Sequence, residues 1–184
     1  MMPAGGRVVV QAAMSLDGFI AGPDHDMDWV FEFTTPEEFP DIVAAAGAML
    51  SGRRSYDVGQ RDAGKPSGEA YGGAWDGPVF VLTHEPPPAA APARVTFLSG
   101  DIETAVATAR SAAGDKDLVI IGADVARQCL EHGLVDEFLL MVLPVLLGDG
   151  TRLYSPGGLA RVDLEPISSR LSGSVTILRY RVRH

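Results

Sequence analysis

Short apolar runs rich in β-branched residues alternate along this chain with segments whose apolar positions recur every three or four residues. The first pattern is typical of buried strands, and the second is typical of helices that cover a sheet. Their alternation predicts βαβ units around a mostly parallel sheet. The strands predicted in the first two thirds of the chain are residues 7–13, 48–51, 79–82, 95–98 and 118–121.

Signals for helix ends lie between these strands. In "TPEEFPDIVAAAGAML", Thr35 is the expected N-cap, Pro36 the first helical residue and Glu38 the partner in a capping box. Pro40 is expected to be tolerated inside the first turn of the same helix. A short second helix is predicted in "GRRSYDVG", residues 52–59.

Two more helices are predicted on either side of residues 118–121. Asp101 is the expected N-cap of the first, and Gly114 ends it. The second is predicted over residues 123–132, because Gly133 follows the last position of its apolar pattern.

The last third of the chain predicts further strands. Residues 135–147, "VDEFLLMVLPVLL", are typical of a strand interrupted at Pro144. In residues 167–184 a Ser-Gly pair separates two alternating stretches, which predicts an antiparallel hairpin at the sheet edge. No internal repeat or long linker divides the chain. Residues 1–184 are therefore predicted to form one α/β domain, with a mixed, mostly parallel sheet flanked by helices.

Composition and charge exclude several classes of function. The 184 residues are 46% apolar and carry a net charge of −9, which argues against a nucleic-acid-binding surface. No segment is long and apolar enough to span a membrane, and the first residues lack the pattern of a secretory signal. Because Cys129 is the single cysteine, an internal disulfide is impossible, and we expect a small core residue in a cytoplasmic protein.

No metal site is predicted. Cys and His residues do not cluster at zinc-ligand spacing. Asp24, Asp26 and Asp28 have the spacing that opens a calcium-binding loop. Such a loop needs glycine at its sixth position and glutamate at its twelfth, where this chain has Trp29 and Thr35.

Three turns that follow predicted strands carry unusual chemistry. In an open parallel sheet such turns emerge at one edge, where ligands bind. Backbone N–H groups at a helix start, together with arginine side chains, suit phosphate groups. Each turn alone also fits a simple role in solvation or packing. Their combination favours a dinucleotide with a 2′-phosphate. The turns contain Gly52, Arg53, Arg54 and Ser55; Thr83 and His84; and Gly122, Ala123, Asp124 and Val125.

Five segments carry a resemblance to a known family. The chain resembles the dihydrofolate reductase-like superfamily, in particular the branch that contains the reductase half of the riboflavin-pathway deaminase–reductase. The segments follow the family order and together span nearly the whole chain. They are "QAAMSLDGFIA" (11–21), "LSGRRSYD" (50–57), "VFVLTH" (79–84), "LVIIGADVARQCLEHGLVDEFLL" (118–140) and "LLGDGTRLY" (146–154).

The resemblance implies a single domain that binds NADPH and passes a hydride to a small heterocycle. It also implies which residues contact the cofactor: the phosphate-binding turns, the end of the strand that reaches the 2′-phosphate, and two small residues beside the nicotinamide. In this chain those residues are Ala12, Ala13, Gly52, Arg53, Arg54, Ser55, Thr83, His84, Ile121, Gly122, Ala123, Asp124 and Val125.

Departures from the family pattern leave the substrate open. Uracil reductases of the riboflavin pathway tend to have lysine where Gln11 stands and an acid where Ile121 stands, and Ala123 replaces the second of two glycines. Folate reductases place a carboxylate a few residues beyond a tryptophan such as Trp29, where this chain has residues 32–34. A phosphoribosylaminouracil reductase, a dihydrofolate reductase and an NADP(H)-binding or dimeric protein without turnover are the alternatives.

Three acids are candidates for the proton source that hydride transfer requires. Asp17, Asp28 and Glu32 lie in or near the loop expected to fold over the substrate ring. Asp17 also fits an ordinary turn, because aspartate before glycine is a common turn pair.

Two further features have more than one interpretation. The loop "AYGGAWDG", residues 70–77, fits a flexible lid with aromatic side chains or a loop whose aromatics fold onto the core. Residues 138–147, "FLLMVLPVLL", fit an exposed edge that pairs two subunits, and the resemblance implies a homodimer.

Overall fold

A mixed eight-stranded sheet forms the centre of the molecule in a computed structural model that describes residues 6–184. The expectation about a secretory signal falls partly on residues 1–5, which lie outside the described residues. The strands are β1 (Val8–Ser15), β2 (Phe19–Ala21), β3 (Ala46–Gly52), β4 (Val79–Leu82), β5 (Val95–Leu98), β6 (Asp117–Ile121), β7 (Glu137–Leu143), β8 (Thr151–Arg152), β9 (Leu164–Ser172) and β10 (Val175–Val182). The α-helices are α1 (Pro40–Ala45), α2 (Arg53–Arg61), α3 (Ile102–Ala113) and α4 (Ala123–Glu131).

The strand order is β5-β4-β3-β6-β1-β7-β10-β9. Neighbouring strands from β5 to β7 are parallel, whereas β10 is antiparallel to both β7 and β9. The predicted mixed sheet with a C-terminal hairpin is therefore confirmed. The suggestion that residues 138–147 form an exposed edge is wrong, because β7 lies between β1 and β10.

Both faces of the sheet are covered. On one face, α3 and α4 pack over a core that includes Val10, Leu50 and Ile120. Cys129 of α4 is fully buried there, as predicted, and burial raises the pKa of its thiol to about 12. On the other face, Trp29 and the segment around α1 close a second core. Apolar burial on both faces explains the continuous apolar runs of the central strands.

The ends of α3 follow the sequence signals, whereas the first predicted helix is broken. Asp101 caps α3 by accepting a hydrogen bond from the Thr104 N–H at 2.7 Å. The capping box of Thr35 and Glu38 also forms, but it starts a single 3₁₀ turn, Pro36–Glu38. Proline disfavours helical backbone at the residue before it, so Phe39 leaves the helix and α1 starts anew at Pro40.

Two short strands were not predicted. β2 and β8 pair as a separate antiparallel ribbon, in which Ala21 lies opposite Thr151. This ribbon carries the loop after β1 across the C-terminal edge of the sheet.

The helices of the described residues are short. The longest, α3, has 12 residues, and none of those within residues 6–184 combines the length and apolar character that a membrane-spanning helix requires.

Candidate active site

A cavity of about 710 Å³ opens along the C-terminal ends of the parallel strands, from β4 through β3 and β6 to β1. The structure brings all the residues expected to contact the cofactor into its lining. They are Ala12, Ala13, Gly52, Arg53, Arg54, Ser55, Thr83, His84, Ile121, Gly122, Ala123, Asp124 and Val125.

Two glycine turns bring the first residues of α2 and α4 together. A Cβ atom on Gly52 would lie 3.4 Å from Val125 Cγ2, and one on Gly122 would lie 3.0 Å from Ser55 Oγ. Gly122 has φ 95° and ψ 146°, a backbone conformation that side-chain-bearing residues rarely adopt. Only glycine therefore lets the backbone at the start of α4 come this close to α2.

The first N–H groups of both helices are open to the cavity. Neither Gly52 before α2 nor Gly122 before α4 supplies a side-chain cap, whereas Asp101 caps the first N–H groups of α3. Uncapped N–H groups at a helix start attract anions. The pairing of two such starts fits a group with two phosphates.

The two arginines of the α2 turn are engaged differently. Arg53 Nε donates to Asp57 Oδ1 at 2.8 Å, and its Nη1 donates to the Glu85 carbonyl at 2.6 Å, so Arg53 ties α2 to the segment after β4. Arg54 is exposed in the lining, and no hydrogen bond joins its guanidinium to another described residue. Arg54 is therefore the arginine available to a ligand.

Thr83 and Asp124 have local partners. Thr83 Oγ1 forms a tight turn with the N–H and carbonyl of Glu85. The Asp124 carboxylate accepts hydrogen bonds from Arg127 and Gln128, each at 2.8 Å. The bond from Arg127 is the main cause of the lowered pKa of Asp124. These contacts turn the Asp124 charge toward its own helix.

The β1 end of the cavity contains residues that were not predicted to contact the cofactor. Gln11 is almost fully buried, and its Oε1 accepts a hydrogen bond from the Tyr71 hydroxyl at 2.6 Å. Tyr71 also packs edge-on against Trp75, whose Nε1 donates to the Ala46 carbonyl at 3.1 Å. The aromatics of this loop therefore fold onto the core, and the lid interpretation is wrong. The β1 end is lined by Gln11, Ile20, His25, Met27, Ser67 and Thr151.

His25 occupies an unusual backbone conformation at this end. Asp24 and His25 have φ values of 56° and 58°, and Arg61 donates to both of their carbonyls, at 2.7 and 3.3 Å. The His25 ring Nδ1 lies 3.3 Å from Thr151 Oγ1. Left-handed backbone at a residue other than glycine often accompanies a functional role. No local sequence pattern marks His25, because its left-handed backbone is seen only in the structure.

Asp17, the first candidate proton source, does not line the cavity. Its carboxylate accepts hydrogen bonds from Ser15 Oγ at 2.6 Å and from the N–H groups of Leu147 and Gly148 at 3.1 and 2.8 Å. The bond from Ser15 contributes most to holding the pKa of Asp17 at about 2. An acid held in this ionised, fully bonded state ties two loops together, and the structure gives no support for proton donation.

The depressed pKa makes the stabilising effect of Asp17 depend on pH. Because the pKa of aspartate in an unfolded chain is about 3.9, the hydrogen bonds to the ionised carboxylate contribute fully above about pH 4 and are lost as the pH falls toward 2. We expect Asp17→Asn to lower the Tm at pH 7 and to match the wild type near pH 2. Thermal unfolding at several pH values checks this. A difference that persists unchanged at pH 2 would contradict the assignment.

The other two candidate acids also lie outside the lining. Asp28 accepts a hydrogen bond from Ser67 Oγ at 2.7 Å and lies 3.6 Å from Lys65 Nζ, so it joins two 3₁₀ turns. Glu32 is exposed. The carboxylate that a folate reductase needs beside its substrate is therefore not supplied by this segment, which weighs against that alternative. Within residues 6–184, no cluster of His, Cys, Asp and Glu has the geometry of a metal site.

Comparisons with known proteins identify chains that are similar to this one. A model of the RibD C-terminal domain family matches residues 72–178. The uncharacterized protein YyaP of Bacillus subtilis (strain 168) is 28% identical over 181 residues, which are 94% of this chain and 93% of that protein.

Solved structures share the fold. A protein ascribed to riboflavin biosynthesis in Shewanella sp. PV-4 is 26% identical, with a TM-score of 0.77 over 97% of this chain and 99% of that one. Dihydrofolate reductase from Enterococcus faecalis, solved with NADP(H), is 14% identical, with a TM-score of 0.61 over 97% of this chain and 98% of that one. The fold is thus dihydrofolate reductase-like. Because the family model matches more than half of the sequence, the chain belongs to the RibD C-terminal domain family.

Proposed function

We propose that this protein is an NADPH-dependent reductase that transfers a hydride to a small heterocycle. The observation that carries the proposal is the convergence of every residue expected to contact the cofactor on one cavity, although those residues come from four separate strand ends. Membership of the RibD C-terminal domain family supports an oxidoreductase. The riboflavin-pathway branch that this chain resembles reduces a phosphoribosylaminouracil, which is therefore the first candidate substrate.

The dimensions and chemistry of the cavity fit a dinucleotide. From β4 to β1 the lining crosses three strand spacings, about 14 Å, which suits an extended pair of nucleotides joined by two phosphates. The paired starts of α2 and α4 offer N–H groups to a pyrophosphate, and the glycine backbone leaves space where a Cβ atom would meet Ser55. Arg54, Thr83 and His84 offer the groups for a ribose phosphate.

Bound NADPH supplies the hydride, and the reduction also consumes one proton. The protein positions the two rings and excludes water between them. With Asp17, Asp28 and Glu32 outside the lining, His25 is the titratable side chain at the β1 end, and we propose that it replaces them as the candidate proton source.

Arg54 gives the sharpest test of cofactor choice. Because no hydrogen bond to another described residue holds its guanidinium, we expect Arg54→Ala to weaken NADPH binding by about 10- to 100-fold, the cost of one charged hydrogen-bonding partner. NADH, which lacks the 2′-phosphate, is expected to bind nearly unchanged. Titration of protein fluorescence with each nucleotide measures both affinities.

Two comparisons complete this experiment. Arg53→Ala is expected to weaken both nucleotides, because Arg53 also holds the segment after β4 in place through Glu85 and Asp57. Equal losses for NADPH and NADH in Arg54→Ala would remove the 2′-phosphate assignment. If wild-type protein binds NADPH but reduces none of a panel of pyrimidine, pterin and quinone acceptors, a binding protein without turnover is favoured.

A homodimer remains a prediction from the resemblance. The described surface suggests a different place for it than residues 138–147. β9 is an edge strand whose Leu164, Ile167 and Leu171 are exposed, with Leu171 at 72%. Exposed apolar side chains on an edge strand are typical of a surface that pairs with another chain.

A further inference from the structure

The β1 end of the cavity is the part that faces a hydride acceptor if the function proposed above is correct, and its chemistry bears on what that acceptor is. Gln11 is only 5% exposed, and its Oε1 already accepts from the Tyr71 hydroxyl. Burial raises the pKa of Tyr71, so the phenol stays protonated and keeps donating. The amide NH₂ of Gln11 is consequently the group left for a ligand.

That NH₂ group is open to the cavity. Gln11 belongs to the lining, and no hydrogen bond joins its Nε2 to another described residue. Among the described side chains, the polar atom that is both fully enclosed and without a hydrogen bond is the Tyr154 hydroxyl oxygen. Gln11 Nε2 also has no hydrogen bond, so it is not fully enclosed and solvent reaches it. A neutral, oriented donor of this kind complements a carbonyl oxygen or an unprotonated ring nitrogen.

The permanently positive side chains of the cavity lie at the end away from β1. Among the described residues that line the cavity, those with a permanent positive charge are Arg53 and Arg54. Both lie at the end of β3, two strand spacings or about 10 Å from β1. The nearby Arg61 is held by Asp62 and by the carbonyls of residues 24 and 25. Arg152 donates to the Asp17 carbonyl at 2.9 Å and stacks on Phe19.

We infer that the acceptor is an uncharged heterocycle that presents a carbonyl or ring-nitrogen acceptor to Gln11 and carries no phosphate. A phosphate dianion at the β1 end would lose water without gaining a lysine or arginine of the described lining, which is costly. The ionisable side chain there is His25, which the proposed function assigns to the proton that the ring receives. A protonated or amidine-like edge would likewise find no carboxylate, because the acid in the described lining is Asp124 at the start of α4. This inference rests on the proposed function, and it replaces the phosphorylated uracil of the branch with an acceptor that lacks the phosphate.

A matched pair of ligands tests the inference. We expect the protein saturated with NADP⁺ to bind 5-amino-6-ribosylaminouracil at least as tightly as its 5′-phosphate in calorimetry, and NADPH to reduce the phosphate-free compound with the higher kcat/KM. A tenfold or greater preference for the phosphate, or binding of neither compound, overturns the inference while the reductase proposal stands. Failure of NADPH itself to bind overturns the proposed function instead.

The variant Gln11→Glu removes the NH₂ donor of residue 11 and keeps the size of its side chain. The new carboxylate still accepts from Tyr71 but replaces the NH₂ donor with an oxygen. We expect at least a tenfold loss of affinity for the phosphate-free uracil and an NADPH affinity close to wild type, whereas the buried new charge lowers the Tm. Gln60→Glu, the same change on the exposed surface of α2, is the control and is expected to leave all three values unchanged. Unaltered uracil affinity in Gln11→Glu would overturn the role of Gln11.

Discussion

Replacing Gly122 with alanine is expected to reduce NADPH affinity about 100-fold, equivalent to ~2.7 kcal/mol. The new Cβ atom would lie 3.0 Å from Ser55 Oγ, where the starts of α2 and α4 meet. It would also force alanine into a backbone conformation that costs about 1–3 kcal/mol. Either response, a shift of α4 away from α2 or a rotation of the turn, withdraws N–H groups from the proposed pyrophosphate site. Fluorescence titration with NADPH measures the loss.

Gly133 provides the matched control at the other end of α4. It also has a positive φ, 65°, but a Cβ atom there would meet nothing within 4 Å, and the residue does not line the proposed NADPH cavity. Gly133→Ala is therefore expected to lower stability by about 1 kcal/mol and to leave NADPH affinity unchanged. If both variants weaken NADPH equally, general destabilisation explains the effect and the Gly122 turn is not a phosphate site.

The elements that the sequence predicted well are those fixed by local interactions. β4 and β5 have the predicted bounds, and the Asp101 cap and Gly114 frame α3 as expected, because each signal acts within one turn or strand. The first helix failed for an equally local reason, the restriction that Pro40 places on Phe39. β2 and β8 were missed because two or three residues have no periodicity, and their pairing joins positions 130 residues apart, as with Ala21 and Thr151.

The candidate site divides in the same way. The turns proposed to bind phosphate follow strand ends directly, so chain order and the parallel sheet were enough to bring Gly52, Thr83 and Gly122 together. The role of Asp17 depends on N–H groups of Leu147 and Gly148 in a distant loop, which no local pattern reveals. From the pair Asp17-Gly18 in the sequence, a residue that anchors two loops therefore cannot be told from an acid catalyst.

At the N-terminal ends of the parallel strands, away from the cavity, charged side chains pair with one another. Glu137 at the start of β7 is 1% exposed and bonds Arg179 Nε at 2.6 Å and Arg7 Nε at 3.1 Å. Arg179 also lies 3.8 Å from Asp117. These charges neutralise one another among the first residues of β6 and β7. In a parallel sheet, this end can serve stability while the other end binds ligands.

Glu137→Ala is accordingly expected to lower the free energy of unfolding by about 3 kcal/mol, because it leaves partly buried guanidinium groups without their main partner. Urea denaturation measures the loss. Asp163→Ala removes the exposed partner of Arg161 and is expected to cost less than ~0.5 kcal/mol. NADPH affinity of the folded Glu137→Ala protein should equal that of the wild type, since the strands separate Glu137 from the cavity. A fall in NADPH affinity beyond threefold would mean that the two ends of the sheet are coupled.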